Sequence, residues 1–143
     1  MGTRARINII DGNKCLVSIY CQFDGYPAGL GQDIANFAKK LEIVNGYNGD
    51  GKGQANGMGC FAAQLIKHLK KGIGNVYIRD TSDESQGEEY SYDLSERDSK
   101  IWMSIYGGSV TFFGMPGAKQ TDMKAIWSGW VGQFNGEKVK QAA

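Results

Sequence analysis

The chain has 143 residues, 41% hydrophobic and 11% aromatic, with a formal net charge of +1. A domain of this length folds without a disulfide or metal staple, and the near-neutral balance excludes both a general electrostatic grip on nucleic acid and a DNA-mimicking surface. Three cysteines without a CxxC pair, no apolar run of membrane-spanning length and no leader pattern behind the N-terminal arginines set the expectation of a soluble, cytoplasmic protein with reduced thiols.

Ala5, Ile7 and Ile9 alternate with Arg6 and Asn8, and Asp11-Gly12-Asn13 is a turn signal. Alternation resumes from Lys14 to Phe23, placing Cys15, Val17, Ile19, Cys21 and Phe23 on one face, with Leu16 out of phase. The two runs predict an opening hairpin. After the DGYP turn the period becomes helical: Leu30, Ile34, Phe37, Ala38 and Leu41 share one face. Met58, Phe61, Ala62, Leu65, Ile66 and Leu69 predict a second amphipathic helix, and residues 45–57, with five glycines, read as a loop between them.

Asn75 to Arg79 reads as a strand, residues 81–89 as an acidic exposed connection, and Tyr90, Tyr92 and Leu94 as a further strand. Ile101 to Tyr106 and Ser109 to Phe113 flank Gly107-Gly108, a two-residue hairpin signal that pairs Ile105 with Val110 and Trp102 with Phe113. Met123, Ile126, Trp127 and Trp130 fit one face of a C-terminal helix, weakened by Gly129 and expected to fold over Trp102; residues 132–143 are expected to fray. The whole predicts one α+β domain: an antiparallel sheet, made of the N-terminal hairpin and a C-terminal meander, with two amphipathic helices on one face.

The junction from Ser18 to Gly31, SIYCQFDGYPAGLG, gathers the candidate site. Gln22, Asp24 and Tyr26 lie where a strand turns into a helix, and Gly29 and Gly31 permit close packing. A helix starting near residues 28–30 would offer N–H groups to an anion, with Arg4 or Arg6 assisting, although Asp24 would repel it. Plain turn chemistry accounts for the same residues.

Gly46 and Gly51-Lys52 have phosphate-loop spacing, but Gly53 replaces the required hydroxyl; Asn48, Asp50 and Lys52 have calcium-loop spacing, but Lys52 is a cation. The single histidine, His68, has no companion in sequence, and one His without paired Cys excludes a standard single-chain zinc site. The sequence therefore implies neither metal nor cofactor. Asp83, Glu84, Glu88 and Glu89 read as a solvated acidic run, and Trp102 as a partner contact if its face is open.

The start MGTR, the segment QFDGYPAGLGQD and the later ANGMGCFAAQLI resemble a group of small proteins of phages, prophages and related bacterial loci. The matching positions are Gly2 to Arg4, Gln22 to Pro27, Gly29, Gly31 and Asn56 to Gly59. The group brings no activity with it. The resemblance implies a phage or prophage origin and a bacterial host cytoplasm. It also implies a role such as inhibiting host defence, by binding a protein complex or by sequestering a small anionic, nucleotide-like ligand. The resulting expectation is a non-catalytic binding protein. The alternatives are a small hydrolase or transferase with Asp24 as base, assisted by Gln22, Tyr26 or His68, and an assembly protein that forms homo-oligomers through its Trp-rich face.

Overall fold

The computed structural model describes residues 2–82, 87–107 and 125–139. Strands β1 (Ala5–Asp11) and β2 (Lys14–Cys21) form the expected hairpin, closed by Gly12 and Asn13. A π-helical turn (Pro27–Gly31) runs into helix α1 (Gln32–Ala38). Two short strands, β3 (Glu42–Val44) and β4 (Gln54–Asn56), precede helix α2 (Gly57–Leu69). Then come β5 (Val76–Arg79), β6 (Tyr90–Arg97), β7 (Lys100–Gly107) and β8 (Trp127–Trp130), followed by two single-turn 3-10 helices at Val131–Gln133 and Gly136–Lys138.

The main sheet has the order β5-β2-β1-β6-β7-β8, and the protein is α+β. Every neighbouring pair is antiparallel except β1 and β6, which run parallel from Ala5↔Tyr90 to Ile9↔Leu94. The sheet is therefore mixed, where sequence alternation predicted an antiparallel one. Ala5, Ile7, Ile9, Ile19, Tyr92, Leu94, Met103 and Ile105 fill its inner face, and α2 packs on them through Phe61 and Leu65.

The reverse face is polar at its centre. Asn8 Nδ2 donates to Asp93 Oδ1 (2.9 Å), Ser18 Oγ donates to Asn8 Oδ1 (3.0 Å), and the Arg6 guanidinium faces Glu88 at 3.8 Å; all five side chains are buried. A β-bulge explains the misfit of Leu16. The register passes from Ile9↔Val17 to Ile10↔Cys15, so Leu16 is the extra residue and stays with the main core. Cys15 thereby moves to the reverse face, where it clusters with Ile10, and not to the face of Ile19 on which the alternation placed it.

Further expectations change. Glu88, read as part of a solvated acidic run, is buried against Arg6. The 45–57 segment is not all loop: residues 54–56 form β4, which pairs in parallel with β3, and Gly57 opens α2. Trp127–Trp130 is a strand, not a helix, because it completes the sheet beside β7 with Trp102↔Trp130 and Ile105↔Trp127. It joins the edge and does not fold over Trp102. The Ser109–Phe113 partner strand lies outside the described residues, and both edges of β7 from Trp102 to Ile105 are filled by β6 and β8.

The tail from 132 to 139, expected to fray, is docked. Phe134 is buried with its ring 4.8 Å from that of Trp127, and the Gly136 amide donates to Gln32 Oε1 (2.8 Å). Among the described residues no helix is long and apolar enough to cross a membrane.

Candidate functional site

Where β2 ends, the chain is held by Asn75, which enters β5 in the left-handed backbone region (φ 63°). Its carbonyl and its side-chain oxygen both accept from the Gln22 amide (2.8 and 3.1 Å), and the side chain also accepts from the Phe23 amide (3.0 Å). With its own polar atoms so committed, the segment projects Phe23 and Tyr26 outward, 48% and 36% exposed. Asp24 follows in a left-handed conformation (φ 57°), which Asp tolerates better than most residues, and its carbonyl accepts from the Leu30 amide (2.8 Å).

This turn forms one wall of a cleft of ≈310 Å³. Asp24, Phe23, Tyr26 and Gly29 line it from the turn, Asp33 from α1, and Lys71 from just beyond α2. Glycine at 29 is a steric requirement: a Cβ there would sit 2.7 Å from the Asp24 carbonyl oxygen and 3.0 Å from the Tyr26 ring. The sequence signal FDGYPxG is thus the packing code of one wall.

His68 does have a companion. Its Nε2 lies 2.9 Å from Asp33 Oδ1, and its ring stacks on Phe37 with centroids 4.5 Å apart. The contact ties α1 to α2 at the rim of the cleft. Cys21 lines the floor, but burial, reinforced by the nearby Asp33 carboxylate, pushes its thiol up to about 12. A thiol held protonated in this way is a weak nucleophile at neutral pH.

The anion reading of the helix start fails on its donors. The Gly29 and Gly31 amides donate to the Tyr26 carbonyl (2.9 and 3.4 Å), Leu30 to Asp24, and Gln32 to Gly29 and Pro27. Four successive N–H groups are spent inside the π-helical turn, leaving no fan of amides for a ligand.

The arginines do not converge there either. Arg6 alternates to the reverse face and is buried beside Glu88, while the Arg4 guanidinium lies against Gly87. Gly31 is buried beneath Tyr92 and Phe134, away from the cleft. Asn56 precedes α2 and accepts from the Gly46 amide (2.7 Å), in a separate cleft with Asp11 and Glu96. Trp102 lies on the reverse face of β7.

The structure therefore gathers Asp24, Tyr26, Gly29 and the Gln22 backbone, with His68 at the margin, and disperses Arg4, Arg6, Gly31, Asn56 and Trp102. Sequence reasoning missed Asp33 and Asn75. Only Asn75 left a local trace, as an Asn following Gly74 at a strand entrance. Among the described residues no group of three or more metal-ligating side chains is placed to hold an ion.

The thiols supply a test of this packing. Burial also pushes Cys15 up to about 11, whereas Cys60 is exposed on α2. We expect iodoacetamide at pH 8 to label Cys60 rapidly and Cys15 and Cys21 only after denaturation, read by intact-mass spectrometry. The linkage has a definite sign. Above the ordinary thiol pKa of 9.0 the unfolded chain releases protons that the fold retains, so stability falls as pH rises from about 9 toward 11–12. No protein-family model, curated protein or solved structure matches this chain.

Proposed function

We propose that this is a non-catalytic binding protein of phage or prophage origin that acts in the bacterial cytoplasm by occupying a surface of a host protein complex, as an inhibitor of host defence would. The observation that carries the reading is the wall of the cleft: Phe23 and Tyr26 are large, exposed and fixed by a rigid turn, beside the carboxylates of Asp24 and Asp33. Exposed aromatics on a preorganised scaffold supply contact area at low entropic cost and dominate protein interfaces. The small-anion alternative loses support, because the cleft carries two carboxylates against one lysine and the helix-start amides are already bonded. The phage origin rests on the sequence resemblance alone.

The catalytic alternative has Asp24 on an exposed turn, with no described side chain bonded to its carboxylate, which is a poor setting for a general base. The test uses the protein as bait in host lysate, alongside a Phe23→Ala/Tyr26→Ala double variant. A partner recovered by the native protein should be lost at least about thirtyfold with the variant, the scale of a lost hot spot. Equal recovery with both proteins would overturn the reading. So would turnover of nucleotides or phosphoesters that Asp24→Asn abolishes while the thermal melt is unchanged.

A further inference from the structure

A second surface lies on the reverse face, at the end of the sheet where β6 turns into β7, and it is independent of the cleft reading. Trp102 and Trp130 are directly opposite each other on β7 and β8, both half-buried. Their setting is fixed by hydroxyls: Trp102 Nε1 donates to Ser128 Oγ (3.1 Å), which is hydrogen-bonded to Ser104 Oγ (2.8 Å). Each indole carries a cation. The Arg97 guanidinium lies 4.1 Å from the Trp102 ring centre, and Lys100 Nζ lies 4.6 Å from that of Trp130.

The charges are unusual. Arg97 and Lys100 are register partners across the β6–β7 turn, and like charges directly opposite are destabilising. The turn that sets them face to face is a tight two-residue hairpin loop, with Asp98 and Ser99 both left-handed (φ 52° and 67°), so the two cations are held opposite each other. Lys39 and Lys40 line an adjoining cleft together with Lys100 and Trp130, against Glu42 and Asp98. None of these four cations forms an ion pair with a described residue.

We propose that this surface docks single-stranded nucleic acid. Paired indole rings and cations with no ion-pair partner among the described residues suit a strand with free bases: on binding, the cations turn from the ring faces to the phosphates and the freed faces take the bases. A phosphate placed between Arg97 and Lys100 would relieve their repulsion. The surface is open, so it would not enclose a mononucleotide, which binds tightly only when mostly buried. A duplex keeps its bases stacked and offers the indoles nothing. The net charge of +1 excludes a protein-wide grip, not this local one.

The experiment is fluorescence anisotropy of a labelled single-stranded deoxythymidine oligomer of about twelve nucleotides, titrated with the full chain at low and moderate salt. Binding should weaken as salt rises. Trp102→Ala should weaken it at least about fivefold. An Arg97→Gln/Lys100→Gln double variant, which leaves the inner face untouched, should flatten the log–log salt slope by about 1.4. The Phe23→Ala/Tyr26→Ala variant should bind the oligomer like the native protein, which separates this site from the cleft.

The proposal is overturned by the absence of binding at low salt. It is equally overturned by native-like binding and salt dependence in the Arg97/Lys100 variant, by an equal affinity for a duplex of the same length, or by an equal affinity for a mononucleotide.

Discussion

Glu88→Ala should destabilise the protein by about 3–5 kcal/mol, the scale of removing one partner from a buried ion pair. Glu88 sits just before β6 and faces Arg6 in β1; Arg6 is only 1% exposed, among the largest fully buried side chains of the described residues. Removing the carboxylate leaves a guanidinium that water cannot reach. Equilibrium urea denaturation reads the effect as a lower midpoint at unchanged slope.

The Arg6→Leu/Glu88→Leu double variant should lie closer to the native protein than Glu88→Ala does, because replacing both charges removes the desolvation cost along with the attraction. A cost below about 1 kcal/mol for Glu88→Ala, the scale of an exposed pair, would show that the two charges do not depend on each other.

The second large effect is expected at Gly136. A Cβ there would land on the Pro27 carbonyl oxygen and 2.7 Å from Ala28 Cα. Both are backbone atoms, so no side chain can swing aside. Gly136→Val should force the last 3-10 turn off the π-helical turn, breaking the Gly136–Gln32 hydrogen bond and loosening Phe134. Overpacking of this kind costs about 1–3 kcal/mol.

Faster proteolysis within residues 131–139, together with a lower melting temperature, checks it. Gly59→Ala is the contrasting control. Nothing lies within 4 Å of a Cβ at that exposed position in α2, so alanine there should stabilise by about 0.4–1 kcal/mol. A Gly136→Val protein as stable as the native one would mean that the tail docks without the close approach.

The elements legible in the sequence are those whose signal is local. The β1–β2 hairpin and the Met58 to Leu69 stripe needed no knowledge of the rest of the chain, and both elements are present, although Cys15 changes face at the bulge and Phe23 lies exposed beyond β2. The parallel pairing of β1 with β6 was not legible, because nothing in Ala5–Asp11 or Tyr90–Arg97 states which edge each strand will find.

Leu16 was visible as an anomaly but not as a bulge, since an extra residue acquires meaning only when the opposite strand is known. Trp127 and Trp130 are three apart, which suits a helix as well as it suits the two faces of a strand. The partnership with Trp102 and Met103 decided between them, and Gly129, buried opposite Met103, was the local hint. At the cleft, the turn residues could be read because Asp, Gly and Pro dictate backbone locally. Asp33–His68 spans 35 positions and leaves no pattern in one sequence.

The link between the first strand and the sixth reaches 85 positions, from Asn8 to Asp93. During synthesis, β1 must leave the ribosome and wait with one flank bare until its neighbour has been translated. Until then the hairpin and both helices lack half of their floor, so a nascent chain that stops before residue 90 should stay loose and attract chaperones. Completion of the sheet is then a late event set by chain closure, as expected for a topology governed by distant pairings.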